Sequence, residues 1–100
     1  MLGNVASIAA SGMNAAQVSL QAAASNVANL PTEGYRRIVA RAEPLPSGGV
    51  RSQLERLPAP GVDLPTDLVE QKKAITAFAA NLQVFKAADR MAGSWLDIRA

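Results

Sequence analysis

The sequence predicts an all-α chain in which two long helices form an antiparallel coiled-coil hairpin around a short loop or β-hairpin. Three observations carry this. Small and apolar residues keep a 4-3-4-3 spacing through the first 30 positions. A proline-rich, arginine-rich segment interrupts the chain between residues 31 and 61. A second helical pattern then fills residues 62–100. The whole reads as one domain, since 100 residues allow a single small core.

The first helix is read over residues 1–30. Its seam is Leu2, Ala6, Ala9, Met13, Ala16, Leu20, Ala23, Val27 and Leu30, a heptad repeat with alanine at alternate steps. Alanine there implies a close partner helix. The opposite face, Asn4, Ser7, Ser11, Asn14, Gln21 and Ser25, is polar yet uncharged, whereas a solvated helix normally carries Lys and Glu. Pro31 stops the helix, and Thr32-Glu33-Gly34 makes a turn.

Tyr35–Ala42 and Val50–Leu57 read as extended, with Pro46-Ser47-Gly48-Gly49 as turn chemistry between them. A two-stranded hairpin is marginal in water, so this one must lean on something. Pro58-Ala59-Pro60-Gly61 is a stiff connector. The second helix begins near Thr66, with Thr66 and Asp63 as candidate N-caps. Asp67 and Glu70 fall early, and Lys86, Arg90 and Arg99 late, as the helix dipole favours. Its seam runs through Leu68, Ile75, Phe78, Leu82 and Phe85, then Ala88, Met91, Trp95 and Ile98. The twelve uncharged residues between Lys73 and Lys86 are expected to be its most buried part.

Composition excludes much chemistry. With no cysteine and no histidine, the chain has no disulfide, no thiolate metal site and no imidazole base. Ser7, Ser11 and Ser94 therefore lack an activating histidine and read as polar helix positions. Asp67 with Glu70 reads as a solvated first turn rather than a metal pair. No glycine-rich phosphate loop occurs. No catalytic residue, cofactor site, metal site or small-molecule substrate is expected, so the chain reads as no enzyme.

The net charge of +2 sits wholly in residues 31–61, where five arginines meet three glutamates. Interleaved acids and one aromatic argue against nucleic-acid binding. Inter-subunit ion pairs and loop solubility are the expected use of those arginines. No stretch is apolar enough to span a membrane, and no Lys or Arg precedes Arg36, so no cleaved secretory signal is expected.

Ser11-Gly12-Met13-Asn14-Ala15-Ala16-Gln17, then Ser25-Asn26-Val27-Ala28-Asn29, then Thr32-Glu33-Gly34-Tyr35-Arg36-Arg37 resemble the N-terminal signature of bacterial flagellar rod and hook proteins. Val62-Asp63-Leu64, Asp67-Leu68-Val69, Ala80-Asn81, Val84, Ala88-Asp89 and Met91 resemble the matching C-terminal segment. Pro31 stands where asparagine is usual, and Glu33 where proline is usual. The resemblance implies a short proximal-rod-type subunit in the basal body, polymerising into a hollow, torque-transmitting shaft. It further implies export through the flagellar type III apparatus without signal cleavage. Its expected partners are copies of itself and other rod or hook-type subunits.

On that reading Met13, Leu20, Val27, Leu68, Ile75, Phe78, Leu82 and Phe85 form the intrachain seam on which assembly depends. Asn14, Asn26, Asn29 and Asn81 lock helices through polar contacts. Tyr35, Arg36 and Arg37 are loop contacts, the two arginines pairing with acids of a neighbouring subunit. The competing reading is a stand-alone helical adaptor or chaperone that binds another coiled coil. Such a protein should be a well-folded dimer at micromolar concentration, whereas a rod subunit should gain helix on association.

Overall fold

The computed structural model describes residues 2–99, as two long helices joined through a β-hairpin. Helix α1 spans Leu2–Ala28, strand β1 Ile38–Pro44, strand β2 Val50–Arg56 and helix α2 Leu64–Arg99. Fold class is thus read correctly for the two helices and the intervening hairpin. The seam assignments of Leu2 and Ile98, and the late placement of the Arg99 charge, concern side chains outside the described residues.

Leu–Pro pairs at 30–31, 45–46, 57–58 and 64–65 stand at or just past the ends of α1, β1 and β2 and at the start of α2. A proline interrupts backbone donation and biases its predecessor away from helix. α1 ends at Ala28, two residues short of the expected end. Asn29 Nδ2 takes the Ser25 carbonyl at 2.8 Å, and Leu30 N–H turns back to Val27 O at 3.3 Å, so the last turn tightens before Pro31. At the other boundary Asp63 caps α2. Its carboxylate accepts the Thr66 backbone N–H at 3.3 Å and the Thr66 hydroxyl at 2.8 Å. The helix therefore starts at Leu64, with Pro65 in its first turn where no donor is needed.

β1 and β2 pair antiparallel, from Ile38 opposite Arg56 to Pro44 opposite Val50. Gly48 and Gly49 close the turn at φ values of 92° and 86°, a region that side chains disfavour. The expected strands were Tyr35–Ala42 and Val50–Leu57; the first begins three residues later because Tyr35 and Arg37 are held at the helix ends. Among the elements, the strands pack on each other and on α1, not on α2. α1 is therefore what the hairpin leans on.

The helices run antiparallel, Gly12 meeting Asn81 and Asn26 meeting Asp67. Continued at that register, the start of α1 lies at the level of Met91, and α2 runs on beyond it with Trp95 and Leu96 exposed. Among the described residues, the buried apolar ones are all alanines: Ala9, Ala16, Ala22, Ala23, Ala74 and Ala88. On α1, Ala9, Ala16 and Ala23 are seven apart; on α2, so are Asp67, Ala74, Asn81 and Ala88.

The contact between the helices thus runs through smaller residues than the large apolar positions expected of it. Met13, Leu20, Val27, Phe78 and Leu82 are half-buried at its flanks, and Leu68, Ile75 and Phe85 are exposed. The uncharged stretch Ala74–Phe85, expected to be the most buried part of α2, is mostly exposed, with Ala74 alone fully buried. Close approach explains this. Alanines let two backbones draw together, and larger side chains are then left around the rim.

The molecule is elongated, 62 × 24 × 14 Å, with a radius of gyration of 17.3 Å. A compact chain of this length would have about 13 Å. An alanine buries little area beside the roughly 1.5–3 kcal/mol of a buried Leu or Phe. This slender core is weak, and the apolar area left outside is large.

Candidate functional site: a polar clasp and an exposed helix face

At the junction of α1, β1 and α2 a polar clasp joins three parts of the chain. Asn26 is 2% exposed and Asp67 also 2%. The Asn26 Nδ2 donates to Asp67 Oδ1 at 3.1 Å and to Ile38 O at 2.8 Å, while its Oδ1 accepts the Ile38 N–H at 2.8 Å. Its carboxamide thus meets the outer edge of β1 as a neighbouring strand's peptide would. Arg37 closes the clasp, Nη2 reaching Asp67 Oδ1 at 2.6 Å and Nε reaching Oδ2 at 3.2 Å. This two-pronged geometry suits a planar guanidinium. The hydrogen bond to Asp67 is the main reason that the Arg37 pKa lies above its ordinary value, with the Asp67 charge adding to it. The Tyr35 hydroxyl joins Ser25 Oγ at 3.1 Å and Asn26 Oδ1 at 3.3 Å. The Arg56 guanidinium lies 5.5 Å from the Tyr35 ring centre and donates to Arg36 O at 2.8 Å.

Two sequence-based expectations are corrected here. Asp67 is not part of a solvated first turn but a buried anion, because Arg37 and Asn26 satisfy it. Arg37 takes its acid from its own chain, not from a neighbour. Two hairpin arginines also meet acids within the chain: Arg41 pairs with Glu55, and Arg51 with Glu43 at 3.4 Å. These pairs are exposed and contribute little stability. The Arg36 side chain is exposed.

The asparagines separate into different surroundings. Asn26 bridges the helices. Asn81 bonds Ala77 O of its own helix at 2.8 Å and lies against Gly12, where a Cβ would fall 2.6 Å from its Cγ. Asn29 stays local, with Ser25 and Thr32. Asn14 is exposed. Asp67 and Gly12 were missed as contact residues. The seven-residue spacing Asp67, Ala74, Asn81, Ala88 was the signal for the first, hidden because a carboxylate at a seam position reads as a surface residue.

The second feature is apolar exposure on more than one side of α2. Leu68, Val69, Ile75, Val84, Phe85 and Met91 are all exposed on α2, between 36% and 59%. A largely apolar groove of about 250 Å3 is lined by Ala16, Gln17, Leu20, Ala74, Ile75 and Phe78. Single exposed apolar residues are ordinary; a helix bearing this many marks an interaction surface. Among the described residues no helix is long and apolar enough to cross a membrane, and no cluster of acidic residues is arranged to hold a metal.

Asp63 gives this region a pH dependence. The Thr66 hydroxyl and then the Thr66 backbone N–H hold its pKa below the ordinary aspartate value. A lowered folded-state pKa stabilises above the unfolded value, and that stabilisation is lost as pH falls through the folded one. Amide protection at the first turn of α2, taken relative to intrinsic exchange at each pH, should therefore fall on acidification below the ordinary aspartate range. An Asp63→Asn variant, which keeps a capping oxygen without the charge, should show a flatter profile. Identical profiles would refute the assignment.

A family model described as "Flagella basal body rod protein" matches residues 7–36. No curated protein matches the chain. The matched segment holds most of α1, the whole turn after it and three clasp residues, Ser25, Asn26 and Tyr35. Over that segment the chain is similar to flagellar basal-body rod proteins, a structural family rather than an enzymatic one in general.

Proposed function

We propose that this chain is a structural subunit of the basal-body rod, a single rod-type domain that polymerises through its helices into a hollow, torque-transmitting shaft. It catalyses nothing; its work is to hold a stiff lattice. Its partners are copies of itself and other rod or hook-type subunits. It reaches the basal body through the flagellar type III export apparatus without signal cleavage.

The observation that carries this reading is the family match over residues 7–36, opposite which α2 carries an unfilled apolar surface. Leu68, Ile75 and Phe85 lie exposed while the fold's own core is alanine. Neighbouring subunits would complete coiled-coil packing around Met13, Leu20, Val27, Phe78 and Leu82, and burying those flanks would supply the stability that the lone chain lacks.

Ile75→Asp tests it. Ile75 is 59% exposed, so the lone chain should keep its helicity by circular dichroism. Assembly in sedimentation should be lost, because each contact would bury an unpaired charge. A variant that assembles like the parent would sink this face as the assembly surface. Leu82→Asp should also abolish assembly, although Leu82 is half-buried and its loss perturbs the monomer too.

A further inference from the structure

We propose that the β-hairpin is a detachable strap, which covers a second helix-packing strip of α1 and opens without parting the two helices. The strip is Ile8, Ala15 and Ala22, seven apart like the Ala9, Ala16, Ala23 strip that faces α2. Small and aliphatic residues at heptad spacing suit a packing helix, not a strand. Here the hairpin turn rests against Ile8, which stays 44% exposed, while Ala15 is half-buried and Ala22 buried.

The attachment is sparse and is polar at both ends. At one end the Ser11 Oγ accepts the Val50 N–H at 3.1 Å, beside the Gly48–Gly49 turn resting on Ile8. At the other, Asn26 holds Ile38 by two bonds of 2.8 Å. Between these clips the strands offer mostly exposed side chains, and the Ser52 hydroxyl is buried with no hydrogen-bond partner. The hairpin touches α1 alone, and open grooves of about 270 and 440 Å3 separate it from α2. A two-stranded unit so held has few contacts to lose and is a candidate for independent local opening. Its root is firm, because the ion pair between Arg37 and Asp67 needs no part of either strand. Opening keeps that anchor and exposes the covered part of the strip, Ala22 above all. If the rod reading holds, the occupant that replaces the strap is a helix of a second copy, so the closed strap restrains premature assembly.

The chain lacks cysteine, which makes a single introduced thiol a clean probe. Ala22→Cys reports the strip, and Ala16→Cys the interface with α2; both positions are almost fully buried, at 4% and 6%. Removing the Ser11 clip with Ser11→Ala should raise maleimide labelling at position 22 about fivefold, the effect of one lost hydrogen bond. Labelling at position 16 should not change. Hydrogen exchange on the parent chain should likewise show the hairpin opening more often than the helices. Unchanged labelling at 22, or an equal rise at both positions, would overturn the strap. In sedimentation, Ser11→Ala should assemble at lower concentration than the parent. An unchanged threshold would overturn the restraining role. Selective labelling with no assembly by either protein would leave the strap standing and the rod reading refuted.

Discussion

Replacing Arg37 with alanine is expected to cost about 3–5 kcal/mol, the usual penalty for stranding one member of a buried ion pair. Asp67 is 2% exposed and would keep a single side-chain donor, Asn26, at 3.1 Å. A small domain has roughly 5–15 kcal/mol in total, and this alanine core places the chain at the low end. The variant should therefore be largely unfolded in urea concentrations that leave the parent intact. The double variant Arg37→Met, Asp67→Leu should recover most of the loss, since an apolar pair of similar volume strands no charge. Equal instability of the single and double variants would mean that the clasp acts through its hydrogen bonds to Asn26 rather than through charge.

The second large effect concerns Gly12. A Cβ there would fall 2.6 Å from Asn81 Cγ and 2.7 Å from its Nδ2, so the helices approach within a distance that only glycine permits beside this asparagine. Gly12→Leu should destabilise by about 2–3 kcal/mol, as overpacking does. Gly12→Ala is more informative, because an alanine also favours helix by about 1 kcal/mol. With Asn81 present the clash should win and the variant should melt lower than the parent. In an Asn81→Ala background the clash is gone, and the same substitution should raise the melting temperature. Such a reversal of sign is a direct measure of coupling between the two positions. A stabilising Gly12→Ala in both backgrounds would show that Asn81 swings aside freely.

These two pairs also show how far sequence reasoning reached. The heptad repeat included Ala9, Ala16 and Ala23 in the α1 seam, but the residues it favoured there, Met13, Leu20 and Val27, lie half-buried while those alanines are buried. On α2 the same method favoured Leu68, Ile75 and Phe85, since large apolar residues attract the eye to a core. The structure instead turns Asp67, Ala74, Asn81 and Ala88 inward. A pattern search cannot prefer a carboxylate over a leucine unless it already sees the arginine that satisfies it, and Arg37 lies 30 residues away.

The hairpin divides similarly. Its turn was legible in Pro46-Ser47-Gly48-Gly49, where two glycines with positive φ close the loop. The start of β1 was not, because Tyr35 and Arg37 have strand-like character but are drawn to Ser25, Asn26 and Asp67. Local propensity there yields to long-range hydrogen bonds.

What the amino-acid sequence determined by itself is everything that depends on near neighbours. It set two helices by periodicity, their ends by proline and aspartate, the turn by glycine, and the exclusion of imidazole and thiol chemistry by composition. The tertiary structure decided which strip of α2 turns inward, which acid Arg37 takes, and that the hairpin rests on α1 alone. Those outcomes depend on close approach between residues distant in the chain, where the absence of a single Cβ at Gly12 or the burial of one charge at Asp67 settles the geometry.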